Sequence, residues 1–446
     1  MKTRVQATCQ SCGARMPRWV GRCPECSEWG SVVEEPTQVT SRVARDVTLE
    51  ELGSHDPDAS VRTPTGIEEV DRVLGGGVVR GSIVLLAGEP GVGKSTLVLQ
   101  AALALGAAHD VVLVCGEEAP AQVRARATRL GPIPDAVRTL QDPELGAILG
   151  ALDAAEPSIL VVDSIQTVFD SEIPSAPGSV TQVRECGARL ARYARDRGIT
   201  VLLVGHVTKE GAVAGPRVLE HLVDVVLQFD GDRSGGVRIL RGLKNRFGST
   251  QEVGFFEMTN EGLVAIRDAS AYLLADRCGN QPGSVLAACV DGRRPFVCEI
   301  QALVGERSTA SMPRRTSIGV DGARLPQLLA VLHRHAETSF HDRDVYVSAV
   351  GGIRAAEPAC DLAIALAVLS SLHNVAIPSD VVAFGEIGLS GEVRQVVGSD
   401  RRLAEARSVG SKLAFVPHSC AIEIDGLEMV RVRHVRDALE QMHDRW

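Results

Sequence analysis

No apolar run in the 446 residues reaches the roughly 18 that a membrane helix needs, and Met1-Lys2-Thr3-Arg4 leads into cysteines instead of an apolar signal segment. The expectation is a cytoplasmic protein without membrane contact. Aromatic residues make up only 3%, which argues against a surface built mainly on base stacking. Positive charge is not in excess either: the formal net charge is −9, so contact with nucleic acid has to come from local basic patches. A secreted disulfide framework is also missing, because four of the 11 cysteines cluster near the N-terminus while the rest are scattered singly. These absences leave a globular, mixed-charge chain, 45% apolar and long enough for two or three domains with separate cores.

The chain is organised around Gly88-Glu89-Pro90-Gly91-Val92-Gly93-Lys94-Ser95-Thr96. The apolar run Ser82–Ala87 before it reads as a buried parallel strand, and Leu97–Leu103 after it reads as a helix. In that context GxxxxGK[ST] is a phosphate-binding loop. The glycines let consecutive backbone N–H groups turn inward, and the helix N-terminus adds its positive dipole. Lys94 is then in reach of the outer phosphates, and the Ser95 hydroxyl is a magnesium ligand. A nucleoside triphosphate is the expected ligand, against the plainer reading of a glycine-rich turn.

Upstream, Cys9-Gln-Ser-Cys12 and Cys23-Pro-Glu-Cys26 are separated by ten residues. Two such knuckles bring four thiolates onto one tetrahedral zinc, and so small a segment owes its fold to the metal. Arg15, Arg18, Trp19 and Arg22 lie within it and suit either a nucleic-acid or protein contact or a solvated ribbon surface. From residue 31 to 60 the composition reads as a linker. Ile67, Val70, Val73 and Leu74 then fit a short amphipathic helix closed by Gly75-Gly76-Gly77.

Beyond the phosphate loop, Val111–Cys115 reads as a strand leading into Gly116-Glu117-Glu118. An acid at this end of an open α/β sheet lies beside the ligand crevice, and Glu117 is favoured to orient and deprotonate an attacking water; helix N-terminal charge is the alternative. Ser158–Val162 reads as a further strand, ending in Asp163, the magnesium-side acid such a site needs. A strand over Ile199–Val204 ends at His206, placed to sense the outer phosphate. The following loop carries Lys209 and Arg217, candidates for a DNA backbone contact. Antiparallel strands Val225–Phe229 and Val237–Leu243 lead to Lys244-Asn245-Arg246-Phe247-Gly248. Lys244 and Arg246 alternate with Asn245 and so project to one side. Two cations far in sequence from the phosphate loop suit a clamp on a neighbour's nucleotide.

The acid after the second strand, Asp163 and the edge cations resemble the core of RecA-like ATPases, especially hexameric replicative helicases. Joined to the four N-terminal cysteines and Lys244–Gly248, the pattern resembles the bacterial RadA (Sms) recombination and repair family over nearly the whole chain. The resemblance implies a DNA-dependent ATPase that forms a homo-hexameric ring on single-stranded DNA. It also implies branch migration on branched intermediates made with the RecA recombinase, with Lys244 and Arg246 acting across subunit boundaries. Segments from Ala271 onward, including Val345–Val350, Asp361–Leu369 and Phe384–Val393, resemble the proteolytic domain of Lon. Proteolysis there needs a serine nucleophile and a lysine base. This chain carries Ala359 at the first position and Asp400 followed by Arg401 at the second, so the resemblance implies a scaffold that does not cleave.

The expected architecture is α/β: an N-terminal C4 zinc ribbon (1–30), a linker (31–60), a RecA-like P-loop ATPase core (61–270) and a C-terminal α+β Lon-protease-like domain (271–446). The cofactors are ATP/ADP and Mg2+ in the core and Zn2+ in the ribbon. Arg314, Arg315 and Arg354 are further candidate DNA contacts. The rival readings are a nucleotide-switched assembly protein acting on a protein partner and an ATP-dependent protease.

Overall fold

Five apolar runs between Ile83 and Phe229 are nearly continuous, as strands covered on both faces require, and the short Val137–Leu140, with Arg138 and Thr139 exposed, joins them at the edge. In the computed structural model, which describes residues 4–9, 14–37, 61–206, 216–231, 236–307 and 313–445, they form the parallel part of a nine-stranded sheet. From one edge inward the order is Val137–Leu140, Val111–Cys115, Ile159–Asp163, Thr200–His206, Ile83–Gly88 and Val225–Gly231, each parallel to its neighbour. Val237–Asn245 then pairs antiparallel with Val225–Gly231, and Val253–Thr259 with Gly262–Ala265 completes the sheet. The expected hairpin is present. Its first strand, however, runs parallel to the phosphate-loop strand, so the parallel region extends one strand further than the apolar pattern suggested.

Alternation along the phosphate-loop strand divides the core in two. Val84 and Leu86 face the helices Glu68–Leu74, Lys94–Leu105 and Pro120–Leu130, whereas Ile83 and Leu85 face Leu145–Ala155 and Val180–Arg197. Gly75 closes Glu68–Leu74 in the left-handed conformation, with φ 81°.

At the N-terminus, Arg4–Cys9 pairs with Arg15–Met16 on one side and with Val32–Thr37 on the other. The ribbon therefore takes in the first residues of the expected linker. Its Glu and Pro residues carry no strand signal, and the segment is held by pairing with Arg4–Cys9.

Two compact units divide the chain, with the boundary at Ala265 and Ile266. The second contains a seven-stranded mixed sheet in the order Arg315–Ile318, Arg343–Ala349, Arg294–Arg307, Ser284–Asp291, Val381–Ala383, Leu413–Pro417, Glu428–Val432. Helix Asp361–His373, apolar around most of its circumference, is buried over its first ten residues.

Candidate nucleotide, metal and intersubunit sites

The parallel strands bring their C-terminal ends to one edge. His206 is opposite Gly88, and Cys115 is opposite Asp163. Gly88-Glu89, the Gly116-Glu117-Glu118 corner, Asp163 and His206 therefore meet where an open sheet binds its ligand. The loop from Glu89 to Gly93 leads directly into Lys94–Leu105, with Gly93 at φ 112° as the residue before the helix. It is this positive φ that requires glycine, since the nearest atom to a β-carbon there is the flexible end of Met258, Cε at 2.5 Å. Within this loop, Pro90, Gly91 and Glu89 are exposed, Val92 is buried against the sheet, and Thr96 follows Ser95 in the first helical turn.

Lys94 is buried, and its Nζ donates to the carbonyl oxygens of Gly88 (2.8 Å) and Glu89 (2.9 Å). Burial lowers its pKa to about 8, opposed by the nearby Asp163, Glu117 and Glu89. At neutral pH the ammonium remains mostly protonated, as phosphate binding requires. Burial raises the Asp163 carboxyl above the usual range, while a hydrogen bond with Ser95 pulls it back. This contact joins two hard oxygen donors beside the loop, a set that fits magnesium.

Glu117 is held from two sides. Ser164 Oγ donates to its Oε1 at 2.5 Å, and His206 Nε2 lies 3.2 Å from the same oxygen. Glu118 lines the same recess but forms an ion pair with Arg126 on the following helix. Gly116 makes the corner possible: a β-carbon would stand 1.8 Å from Thr167 Oγ1, whose hydroxyl donates to the Ser164 carbonyl at 2.7 Å. Ser164 escaped the sequence reading; its signal is that it directly follows the strand-ending acid.

Lys244 and Arg246 are brought together at the opposite edge. Lys244 Nζ donates to the carbonyls of Glu220 and Val223, both at 2.7 Å, and Arg246 Nη1 donates to Asp224 Oδ1 at 3.1 Å. Asn245 turns the other way, its amide donating to the Leu74 carbonyl. Burial, and next the adjacent Arg246 charge, lower the Lys244 pKa.

In the ribbon, the Sγ atoms of Cys9, Cys23 and Cys26 lie within 4.8 Å of one another, and Cys9 and Cys26 are 3.6 Å apart. Tetrahedral bonds of about 2.3 Å to zinc give sulfur separations of about 3.8 Å, so the three fit the ion. Cys12, the fourth expected ligand, lies outside the described residues. Arg18, Trp19 and Arg22 are exposed.

Lys209 and the side chain of Arg217 also lie outside the described residues. Arg314 and Arg354 are exposed. The Arg315 guanidinium donates to the carbonyls of Arg314, Arg343 and Phe340, which makes it a clasp between its strand and the neighbouring chain. Ala359 is buried. Asp400 and Arg401 are exposed, and the residue of their helix that reaches the Ala359 segment is Arg402, paired with Glu357 at 2.6 Å. The Cys360 thiol beside Ala359 is fully buried, touches Cys289 Sγ at 3.4 Å and is pushed well above the ordinary thiol range by that contact and by burial. Neither cluster was legible, since its members come from separate segments.

Comparison with known proteins finds family matches in three separate stretches of the chain. Residues 57–212 match the model of an AAA domain, 8–34 a rubredoxin metal binding domain, and 329–420 the subunit ChlI of Mg-chelatase. The chain is similar to "DNA repair protein RadA" of Pseudomonas aeruginosa, 43% identical over 99% of this chain and 100% of the relative. It is also similar to the proteins of that name from Bacillus subtilis, 42% identical, and Escherichia coli, 40% identical, each over 98% of both chains.

Proposed function

The chain belongs to the family of the DNA repair protein RadA, and from that premise we propose a DNA-dependent ATPase that acts as a hexameric ring on single-stranded DNA. Its task in this reading is branch migration of recombination intermediates made with the RecA recombinase.

The nucleotide is gripped by the loop from Gly88 to Thr96, with Lys94 exchanging its carbonyl partners for phosphate oxygens. Ser95 and Asp163 hold magnesium, which when bound neutralises charge on the phosphates. Glu117 takes the proton of the attacking water, while Ser164 fixes one of its oxygens. His206 touches that same oxygen and leads into the segment carrying Lys209 and Arg217. A change at the outer phosphate thereby reaches candidate DNA contacts. The C-terminal unit serves as a scaffold without proteolysis, because Ala359 offers no nucleophile and Arg402 is engaged by Glu357.

The observation that carries the ring is sheet register. Arg246 N–H bonds to Asp224 O, and Asp224 N–H bonds to Ile83 O, so Arg246 is level with the start of the phosphate-loop strand. Ile83 and Gly88 are five residues apart, roughly 16 Å along a strand, which exceeds an arginine's reach. A cation pair at one edge and a phosphate loop at the other therefore need a second copy to meet, and a head-to-tail contact whose rotation closes gives a ring.

The test is ATP turnover with and without single-stranded DNA across a salt series. Stimulation that fades with salt is expected, since phosphate contacts release counterions, and Lys94→Ala should lose hydrolysis. Full DNA-stimulated hydrolysis by Lys94→Ala sinks the reading. Turnover indifferent to DNA points instead to a nucleotide switch acting on a protein partner.

A further inference from the structure

We infer that Asp224 is the positioning residue for the cation pair, fixing Arg246 and the seat of Lys244 against the first residue of the chain's own phosphate-loop strand. This rests on the reading that Lys244 and Arg246 act on a neighbour's nucleotide.

Asp224 is only 5% exposed, and a buried carboxylate needs partners for both oxygens. Oδ2 accepts the Ile83 N–H at 3.1 Å, and Oδ1 accepts from Arg246 Nη1 and Arg195 Nη2, each at 3.1 Å. The backbone repeats the connection, with Asp224 N–H on Ile83 O at 3.0 Å and Arg246 N–H on Asp224 O at 3.1 Å. The carbonyls that hold Lys244, those of Glu220 and Val223, belong to the segment that Asp224 ends. One carboxylate thus pins both the segment that seats the lysine and the arginine itself.

The arginines are not consumed by this contact. Their side chains remain about half exposed, at 53% for Arg246 and 45% for Arg195. They line a surface recess with Arg192, His221 and Asp196. Three guanidiniums around one recess, two of them held from below by a buried acid, suit the approach of a polyanionic group from outside. Arg195 competes for the same oxygen as Arg246, so the carboxylate limits where either guanidinium can swing.

Asp224→Asn separates the two halves of the contact. Its carbonyl oxygen keeps the Ile83 bond, and its amide presents hydrogens to the guanidiniums in place of a lone pair. The purified full-length variant should bind ATP as the wild type does, with KM within about twofold, while kcat falls at least about tenfold. Mixing it with Lys94→Ala, which lacks a working loop but keeps its cations, should restore turnover. Random mixing in a head-to-tail ring joins a sound loop to sound cations at one interface in four, so about a quarter of wild-type activity is expected. Arg246→Ala mixed with Lys94→Ala is the control for the trans reading itself. Recovery in the control but not with Asp224→Asn overturns the inference alone; recovery in neither overturns the trans reading. Wild-type kcat for Asp224→Asn by itself also overturns the inference. Should the amide not fold, Asp224→Glu, which keeps the charge but moves it by one methylene, enters the same mixture with the same expectation.

Discussion

Glu117 and Glu118 are adjacent acids with different surroundings, and the difference decides which can act on water. The first shares one oxygen between Ser164 and His206 at the phosphate-loop edge, while the second is neutralised by Arg126. Glu117→Gln should therefore bind ATP normally and lose about 10²–10⁴-fold in kcat, whereas Glu118→Gln should keep hydrolysis within a few-fold; steady-state turnover beside nucleotide binding distinguishes them. Gly116→Ala tests the corner that aims Glu117. Its methyl has to displace Thr167, and overpacking of this kind costs about 1–3 kcal/mol. Lower stability in urea together with slower turnover is expected, and an unaffected kcat would show that the corner does not aim the acid. The position of Glu117 was legible because a strand end in an α/β sheet is a known place in space. His206 was legible at the same crevice for the same reason, whereas Ser164, 47 residues from Glu117, was not singled out.

At the scale of elements, continuous apolar runs announced the buried strands, and the glycine triplet announced the end of Glu68–Leu74. Strand order was beyond such patterns, because it depends on which faces the crossover helices cover. The short strand Val32–Thr37 was missed for a related reason: its stability comes from a partner strand, and the Glu-Glu-Pro at its centre masks the strand signal of Val32, Val33 and Thr37. Helix Asp361–His373 shows how one polar residue orients an apolar element. Asp361 accepts from Arg324 through both carboxylate oxygens and from the Ile387 N–H at 3.0 Å. Asp361→Ala leaves the Ile387 N–H and the guanidinium without their acceptor, although Arg324, 24% exposed, regains some water. A loss of about 2–4 kcal/mol is expected, read as a lower urea midpoint for the C-terminal unit. A change below about 0.5 kcal/mol would make the ion pair incidental to the fold.

For the molecule as a whole, the sequence distinguished a metal ribbon by its cysteine pairs, a nucleotide-binding sheet by its phosphate loop and a C-terminal α+β unit by its resemblance to Lon, and the first two have different kinds of core. Among the described residues the ribbon's core consists of Ala7, Cys9, Met16, Cys23 and Val32, with Ala14 and Val20 packed against it, and two of the five are candidate zinc ligands. Five side chains cannot balance the conformational entropy of ordering some thirty residues, so zinc has to supply the difference. The sheet beyond it has large apolar clusters on both faces and needs no such help. Removing the metal should therefore separate the two. Wild-type protein is expected to carry about one zinc per chain, since a C4 site closes on a single ion, and Cys23→Ser should carry none. In Cys23→Ser the ribbon opens to protease while basal ATP turnover without DNA and the main melting transition stay close to wild type. Collapse of basal turnover or of the main transition would mean that the ATPase sheet depends on the ribbon for its fold. Loss confined to the DNA-stimulated rate would instead assign the ribbon to the recognition of DNA, where Arg18, Trp19 and Arg22 stand exposed.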